Sequence, residues 1–194
     1  MVDVATSELI LGGQKSGKSR RAETLARDWL AASPSHRAVL IATAEPWDEE
    51  MRKRIARHQA DRADRVPGMA TVEEPLKLAD AMQQHSQANV LVVVDCLTLW
   101  LTNLLMPVDE KLAERRSFAA LQAGFITPFL EAIEAARGPV VLVGNEIGLG
   151  VIPLGAEVRA FVDALGQLNQ AVAQTCQRVT LMVAGLPLTL KATL

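Results

Sequence analysis

The chain has 194 residues, of which 49% are apolar and 22% are charged, and its formal net charge is -2. A chain of this length and apolar content can bury a continuous core, which excludes an intrinsically disordered protein. The small net charge gives no reason to expect a nucleic acid or an anionic membrane as partner. We expect one domain over residues 1–194.

Targeting signals and cysteines point to an intracellular location. The first ten residues have no basic region and no long apolar run, so the sequence predicts no signal peptide. The longest apolar stretches, of roughly six to eight residues, are too short to span a bilayer. Cys96 and Cys176 lie far apart in apolar surroundings, which indicates two buried thiols in a reducing compartment. We therefore expect a cytoplasmic protein.

Short apolar runs alternate with longer segments of helical periodicity. The runs predict strands over residues 8–12, 38–42, 90–95, 139–144 and 178–184, and the intervening segments predict helices over residues 18–31, 48–62, 75–84, 112–137 and 155–177. Each run is nearly continuous in Val, Ile and Leu, which is typical of strands buried on both faces of a parallel sheet. The sequence thus predicts an α/β fold with a mainly parallel sheet flanked by helices.

The remaining segments are shorter. Residues 186–191 follow the last predicted strand too closely for a crossover helix, so we expect an antiparallel edge strand there. Residues 66–69 and 106–111 are the most loop-like parts of the chain.

A phosphate-binding motif follows the first predicted strand. It consists of Gly12, Gly13, Gln14, Lys15, Ser16, Gly17, Lys18 and Ser19, and it fits G-x-x-x-x-G-K-[ST] between a strand and a helix. Backbone N–H groups and the helix N-terminus would hold the phosphates of a nucleoside triphosphate. Lys18 would reach the β- and γ-phosphates, and the Ser19 hydroxyl would ligate Mg²⁺. Lys15 either touches phosphate or points to solvent.

An acidic residue ends the third predicted strand. Asp95 follows five apolar residues, which suits an aspartate that holds Mg²⁺ directly or through water. We expect its strand to lie next to the strand that leads into the phosphate loop. The alternative is that Asp95 caps whatever follows the strand.

One of the three histidines lies in a strongly charged helical segment. On periodicity alone, His58 belongs to a solvated helix face. A neutral imidazole is nevertheless a competent nucleophile, and Arg54, Arg57 and Arg62 would supply charge for an anionic substrate.

Several segments in this order together resemble a known family. They are the phosphate loop, Ile41-Ala42-Thr43, the His58 helix, the stretch 95–105 with the pattern D-C-L-T-x-W-x-x-N, the stretch 145–153 with the pattern N-E-x-G-x-G-x-x-P, and the later Arg159, Asp163, Gly166 and Asn169-Gln170. The chain resembles the bifunctional adenosylcobinamide kinases / adenosylcobinamide-phosphate guanylyltransferases of cobalamin assembly. The resemblance implies a RecA-like P-loop sheet and a homotrimer.

The resemblance implies two reactions. The γ-phosphate of ATP or GTP is transferred to a hydroxyl of adenosylcobinamide, and GTP then donates GMP through a guanylylated histidine. His58 occupies the matching position, where some relatives carry two adjacent histidines.

The resemblance also implies roles for other residues. Ile41, Ala42 and Thr43 would line the nucleotide site, and Glu73 would contact the nucleotide, although Glu73 also fits a first-turn acid of the following helix. Asn145 and Glu146 follow a strand end, where open α/β sheets place ligands, or they belong to a glycine-rich turn without contacts.

Three alternatives stay open at this point. A different P-loop small-molecule kinase would need the loop and Asp95 but not His58. A nucleotide-dependent switch would hydrolyse slowly and respond to a partner. A family member could also keep only one of the two activities.

Overall fold

A computed structural model describes residues 5–106 and 118–192. Seven strands are present in these ranges: β1 Ser7–Gly12, β2 Arg37–Ala42, β3 Met69–Glu73, β4 Val90–Asp95, β5 Val140–Val143, β6 Arg178–Val183 and β7 Leu186–Ala192. The helices are α1 Lys18–Ala32, α2 Glu49–Arg65, α3 Leu78–His85, α4 Leu97–Leu105, α5 Phe118–Leu121, α6 Thr127–Glu134 and α7 Ala156–Thr175, with a π-helix over Gln122–Ile126.

The strands form one sheet in the order β3-β2-β4-β5-β1-β6-β7. Every neighbouring pair is parallel except β6 and β7, which are antiparallel. All residues of β1 and β5 are buried, as continuous apolar runs predict for strands covered on both faces. The predicted α/β fold with an antiparallel C-terminal edge strand is confirmed.

Apolar side chains cover both faces of the sheet. One face packs against α3, α4, α6 and α7, and Trp100 and Phe129 lie there with their ring centroids 5.0 Å apart. The other face packs mainly against α1, through the small side chains of Ala22 and Ala26. In the described ranges, no helix has both the length and the apolar character needed to cross a bilayer.

Two elements were absent from the sequence prediction. The β3 strand has only five residues and partly exposed side chains at the sheet edge, so it lacks the apolar run that marks the central strands. The predicted loop over 66–69 overlaps its first residue, Met69. Helix α4 is buried on almost every side, and its apolar sequence therefore shows no amphipathic period.

The remaining predicted helices are confirmed with shifted ends. The His58 helix extends to Arg65, and the helix predicted from residue 75 begins at Leu78. Residues 112–117 of the predicted helix over 112–137 lie outside the described residues, and the rest runs from Phe118 to Glu134 with the π-helix inside it. Of the predicted loop 106–111, only Met106 is described.

Both cysteines are free and buried, as the sequence predicts. Burial raises the pKa of the Cys96 thiol to about 11 and that of the Cys176 thiol to about 12. Since a thiol reacts as its thiolate, both should be nearly inert at pH 8.

We expect iodoacetamide at pH 8 to leave Cys96 and Cys176 unmodified in the folded protein and to label both in urea, as counted by mass spectrometry. Rapid labelling of either thiol without denaturant would contradict their burial.

Candidate nucleotide site

The phosphate loop has a backbone that only glycine can adopt at two positions. Gly12 has φ 153°, and a Cβ there would lie 2.5 Å from Ser16 Oγ and 2.6 Å from the Met182 carbonyl oxygen. Gly17 caps α1 with φ 103° and offers no side chain to the helix N-terminus. The first-turn N–H groups of α1 are therefore left for an anion.

Two neighbouring loops fix the phosphate loop. The Gly185 N–H, in the turn between β6 and β7, donates to the Ser16 carbonyl over 3.0 Å. The Glu146 N–H, in the loop after β5, donates to the Gly12 carbonyl over 3.1 Å. The phosphate loop is therefore held in place from two sides.

Lys18 is buried inside this loop with only 8% of its surface exposed. Its Nζ donates to the Gly13 carbonyl over 2.7 Å. Burial lowers the pKa of Lys18 and the charge of Arg54 acts in the same direction, whereas Asp95 opposes the shift. A buried cation held by one loop carbonyl is suited to exchange that contact for phosphate oxygens.

The other loop residues differ in exposure. Gly13, Gln14 and Lys15 are exposed, and Ser19 is half-buried in the first turn of α1. Ser16 Oγ is buried without a hydrogen-bond partner among the described residues. Because an unpaired buried hydroxyl is costly, Ser16 is a further candidate for contact with a bound anion.

The carboxyl ends of four parallel strands lie in one row. Ala42 is in register with both Glu73 and Asp95, and Asp95 is in register with Val143. The expectation that the Asp95 strand adjoins the phosphate-loop strand is wrong, because β5 lies between β4 and β1. The Asp95 carboxylate still acts on the pKa of Lys18, although one strand separates them.

Burial and hydrogen bonds hold the residues at the end of β2 and directly after it. Ile41 is fully buried in the core and Ala42 is half-buried. The Thr43 hydroxyl donates to the Cys96 carbonyl over 2.7 Å and accepts from the Cys96 N–H over 2.9 Å. Thr43 thus holds the backbone directly after Asp95, and a role of these residues in lining the nucleotide site stays a prediction.

Three buried polar residues hold the loops of the site and were not predicted as such. Asn103 Nδ2 donates to the carbonyls of Thr43 over 2.7 Å and of Pro75 over 3.1 Å. The Thr98 hydroxyl accepts from the Asn145 N–H, and Asn169 Nδ2 donates to the Asn145 carbonyl. The signal was available, because polar residues inside apolar helices need buried partners.

Helix α2 lies on the surface with no buried side chain. Asp48 caps it by accepting from the Met51 N–H over 2.7 Å. The acidic residues Glu49 and Glu50 in the first turn and Arg62 and Arg65 in the last turn complement the helix dipole. Local sequence therefore accounts for this helix without help from the core.

Two arginines flank His58 on one face of α2. Arg54, His58 and Arg62 are four residues apart and so share a face of the helix. The charge of Arg54 acts on the pKa of Lys18. Burial lowers the pKa of Arg62, and Asp95 opposes that shift. His58 lies between two arginines whose charges reach the phosphate site.

Two polar contacts tether α2 to the sheet and to α1. Gln59 Nε2 donates to Glu73 Oε1 over 3.2 Å at the end of β3. Arg65 pairs with the nearly buried carboxylate of Glu23 over 3.1 Å. The structure therefore brings Glu73 next to the His58 helix and keeps its carboxylate exposed.

Asn145 and Glu146 lie at the carboxyl end of β5, beside the phosphate loop. The Glu146 carboxylate accepts from the Gly148 N–H over 2.8 Å and so shapes its own loop. This placement fits the predicted substrate loop, whose contact with substrate stays a prediction.

We expect Thr43→Val to lower the free energy of unfolding by about 1–3 kcal/mol, because it leaves the buried Cys96 N–H without a partner and the Cys96 carbonyl with only the Trp100 N–H. Thr102→Val is the control, since the Thr102 hydroxyl donates only to the carbonyl of Thr98 in its own helix. Urea unfolding of both variants measures the difference. Equal losses in the free energy of unfolding would show that the hydrogen bonds of Thr43 stabilise the protein no more than the single bond of Thr102.

Comparison with known proteins identifies the family of this chain. The family model for cobinamide kinase / cobinamide phosphate guanyltransferase matches residues 8–190. The bifunctional adenosylcobalamin biosynthesis protein CobP of Pseudomonas aeruginosa is 46% identical over 95% of this chain and 96% of its own length. The bifunctional adenosylcobalamin biosynthesis proteins CobU of Escherichia coli and Salmonella typhimurium are 32% and 31% identical, each over 94% of this chain and 98% of its own length. The chain therefore belongs to the cobinamide kinase / cobinamide phosphate guanyltransferase family, as the motifs predict.

Proposed function

We propose that this chain, as one domain over residues 1–194, phosphorylates adenosylcobinamide with ATP or GTP and then transfers GMP from GTP to the product. The observation that carries this proposal is the α2 face with Arg54, His58 and Arg62. The charge of Arg54 acts on Lys18, and the charge of Arg62 interacts with Asp95. A phosphate loop alone would support only a kinase. A histidine between these two arginines would add a nucleophile for nucleotidyl transfer.

The kinase step uses the phosphate loop. The acceptor hydroxyl oxygen attacks the γ-phosphorus and releases its proton to solvent, the bond from that phosphorus to the β-phosphate oxygen breaks, and a nucleoside diphosphate leaves. Lys18 and the loop N–H groups are placed to neutralise charge on the phosphates during this transfer.

The guanylyl step uses His58 in two displacements. An imidazole nitrogen attacks the α-phosphorus of GTP, forms an N–P bond and releases pyrophosphate. A phosphate oxygen of adenosylcobinamide phosphate then attacks the same phosphorus, breaks the N–P bond and restores the imidazole. The phosphoramidate conserves the energy of the bond that it replaces, and Arg54 and Arg62 offset repulsion between the two anions.

Nucleotide contacts extend beyond the phosphate loop in this proposal. Glu73, exposed at the end of β3, would contact the guanine or ribose, and Ile41-Ala42-Thr43 would lie beside it. The exposed Glu73 carboxylate and its hydrogen bond from Gln59, next to His58, support a position where nucleotide and nucleophile meet.

The donor set fits Mg²⁺. No group of three or more His, Cys, Asp and Glu side chains in the described ranges could hold a metal by itself. Mg²⁺ typically takes one or two protein oxygen ligands and completes its shell with water and phosphate. The Ser19 hydroxyl and the Asp95 carboxylate would be two such ligands. Bound Mg²⁺ would supply positive charge to the transferring phosphates.

The assembly and the compartment belong to the same proposal. We propose a homotrimer in the cytoplasm. The edge strand β7 exposes Leu186, Leu188 and Leu190 on alternate residues, which supports a subunit contact at that edge. The two free thiols support a reducing compartment.

We expect Asp95→Asn to lower the rates of both reactions by at least about tenfold and to raise the Mg²⁺ concentration for half-maximal rate. EDTA should abolish both reactions, and added Mg²⁺ should restore them. Asp80→Asn, in the first turn of α3, is the control. Full activity of both variants in EDTA would contradict a metal role for Asp95.

We expect GTP labelled at the α-phosphate to leave acid-labile, base-stable label on the protein, and His58→Ala to remove that label while it spares the kinase step. Lys18→Ala should impair both reactions. His85→Ala is the matched histidine control, because His85 ends α3 before the start of β4, away from the carboxyl ends of the strands.

The outcomes separate the competing functions. No label on a protein that binds GTP and phosphorylates adenosylcobinamide would identify a kinase without nucleotidyl transfer. Equal loss of both activities in a folded His58→Ala protein would disprove the division of roles.

A further inference from the structure

An apolar segment follows the substrate loop and is almost wholly exposed. Its large side chains, 41–98% exposed, are Ile147, Leu149, Val151, Ile152, Leu154 and Val158. They make up nearly half of the exposed large hydrophobic residues in the described part of the chain. A contiguous apolar patch of this kind marks a binding surface for a ligand or a partner.

The backbone of this segment is tied at both ends, although its side chains are exposed. At its start, Asn145 is held by the Thr98 hydroxyl and by the Asn169 amide. At its end, the Arg159 guanidinium donates to the carbonyls of Pro153 and Leu154. Because these contacts hold the backbone, the outward direction of the apolar side chains is a property of the fold.

The segment begins at the phosphate loop. The Glu146 N–H donates to the Gly12 carbonyl over 3.1 Å, and Ile147 is the next residue. A substrate whose hydroxyl reaches a phosphate held by Lys18 has its remaining bulk outside the loop. The apolar segment therefore begins beside the site of phosphoryl transfer.

The chemistry of the segment selects the ligand. Residues 147–156 are only Ile, Gly, Leu, Val, Pro and Ala, so no side chain among them is charged or forms hydrogen bonds. Such a surface favours a bulky ligand with apolar faces and disfavours a nucleotide or another anion.

We propose that this segment docks the corrin ring of adenosylcobinamide and so determines acceptor specificity in the kinase and guanylyl steps. The inference rests on the proposed function. The phosphate loop and His58 act on the nucleotide, and residues 147–156 hold the ring while its side chain reaches the phosphate. Removing apolar contacts here should weaken corrinoid binding without affecting reactions of the nucleotide alone.

The test uses the double variant Leu149→Ser/Val151→Ser, because both side chains are more than 80% exposed and their loss should not unfold the protein. Equilibrium dialysis of adenosylcobinamide, followed by its visible absorbance, measures the dissociation constant. We expect this constant to rise at least about tenfold. The His58 guanylylation by labelled GTP in the absence of corrinoid should stay at its original rate.

Met106→Ser is the matched control, since Met106 is 54% exposed at the far end of α4. It should change the dissociation constant by less than about twofold. Light scattering should give the same oligomeric state for all three proteins.

Each outcome decides the inference. Unchanged corrinoid binding in the double variant, with a wild type that binds, would overturn the docking surface and leave the proposed function intact. A changed oligomeric state together with weaker binding would overturn it as well, because the segment would then be a subunit contact. A wild type that does not bind adenosylcobinamide would overturn the proposed function itself.

Discussion

The close approach of the Gly12 backbone to Ser16 and to the Met182 carbonyl determines the shape of the phosphate site. Any side chain at Gly12 would collide with both at about 2.6 Å or less. The approach lets the loop close over Lys18, whose ammonium is held by the Gly13 carbonyl. It also leaves the Gly12 and Ser16 carbonyls free to accept from Glu146 and Gly185. The conformation of the phosphate loop and the position at which the apolar segment starts both depend on this contact.

Buried polar side chains determine the conformation of the other loops, as glycine determines that of the phosphate loop. Thr43, Asn103 and Asn169 use hydroxyl and amide groups to bind backbone at the carboxyl ends of β2, β4 and β5. These bonds cost little because they satisfy groups that would otherwise be unpaired. They also hold the backbone of Asn145 and the backbone directly after Asp95.

The proposed division of labour follows from the different environments of the two groups of residues. Lys18 is buried in a loop that two neighbouring loops hold by hydrogen bonds, which suits a fixed charge on phosphates. His58 lies on a surface helix without buried side chains, which polar contacts of Gln59 and Arg65 tether to the sheet and to α1. A helix of this kind has low local stability and can adjust to a nucleotide. Two reactions can then share one nucleotide site.

The sequence by itself determined the central strands, the phosphate loop and the C-terminal hairpin, because each is encoded by neighbouring residues. Continuous Val, Ile and Leu runs specify buried strands, and glycine positions specify the loop. The motifs around Asp95 and Asn145 were also sufficient to identify the family. The short edge strand β3 and the buried helix α4 carry no such local pattern, since exposure at an edge and burial on every side both remove periodicity.

Only the tertiary structure decided which of these segments meet. The insertion of β5 between β1 and β4 depends on pairing between distant strands, which neither strand encodes alone. The direction of the Arg54–His58–Arg62 face depends on contacts of α2 with Glu23 and Glu73, far away in the chain. The hydroxyl of Thr43 looks like a candidate ligand in the sequence, and the fold uses both of its hydrogen bonds for the backbone of Cys96. Local sequence specified the reactive groups, and long-range packing determined their distances and partners.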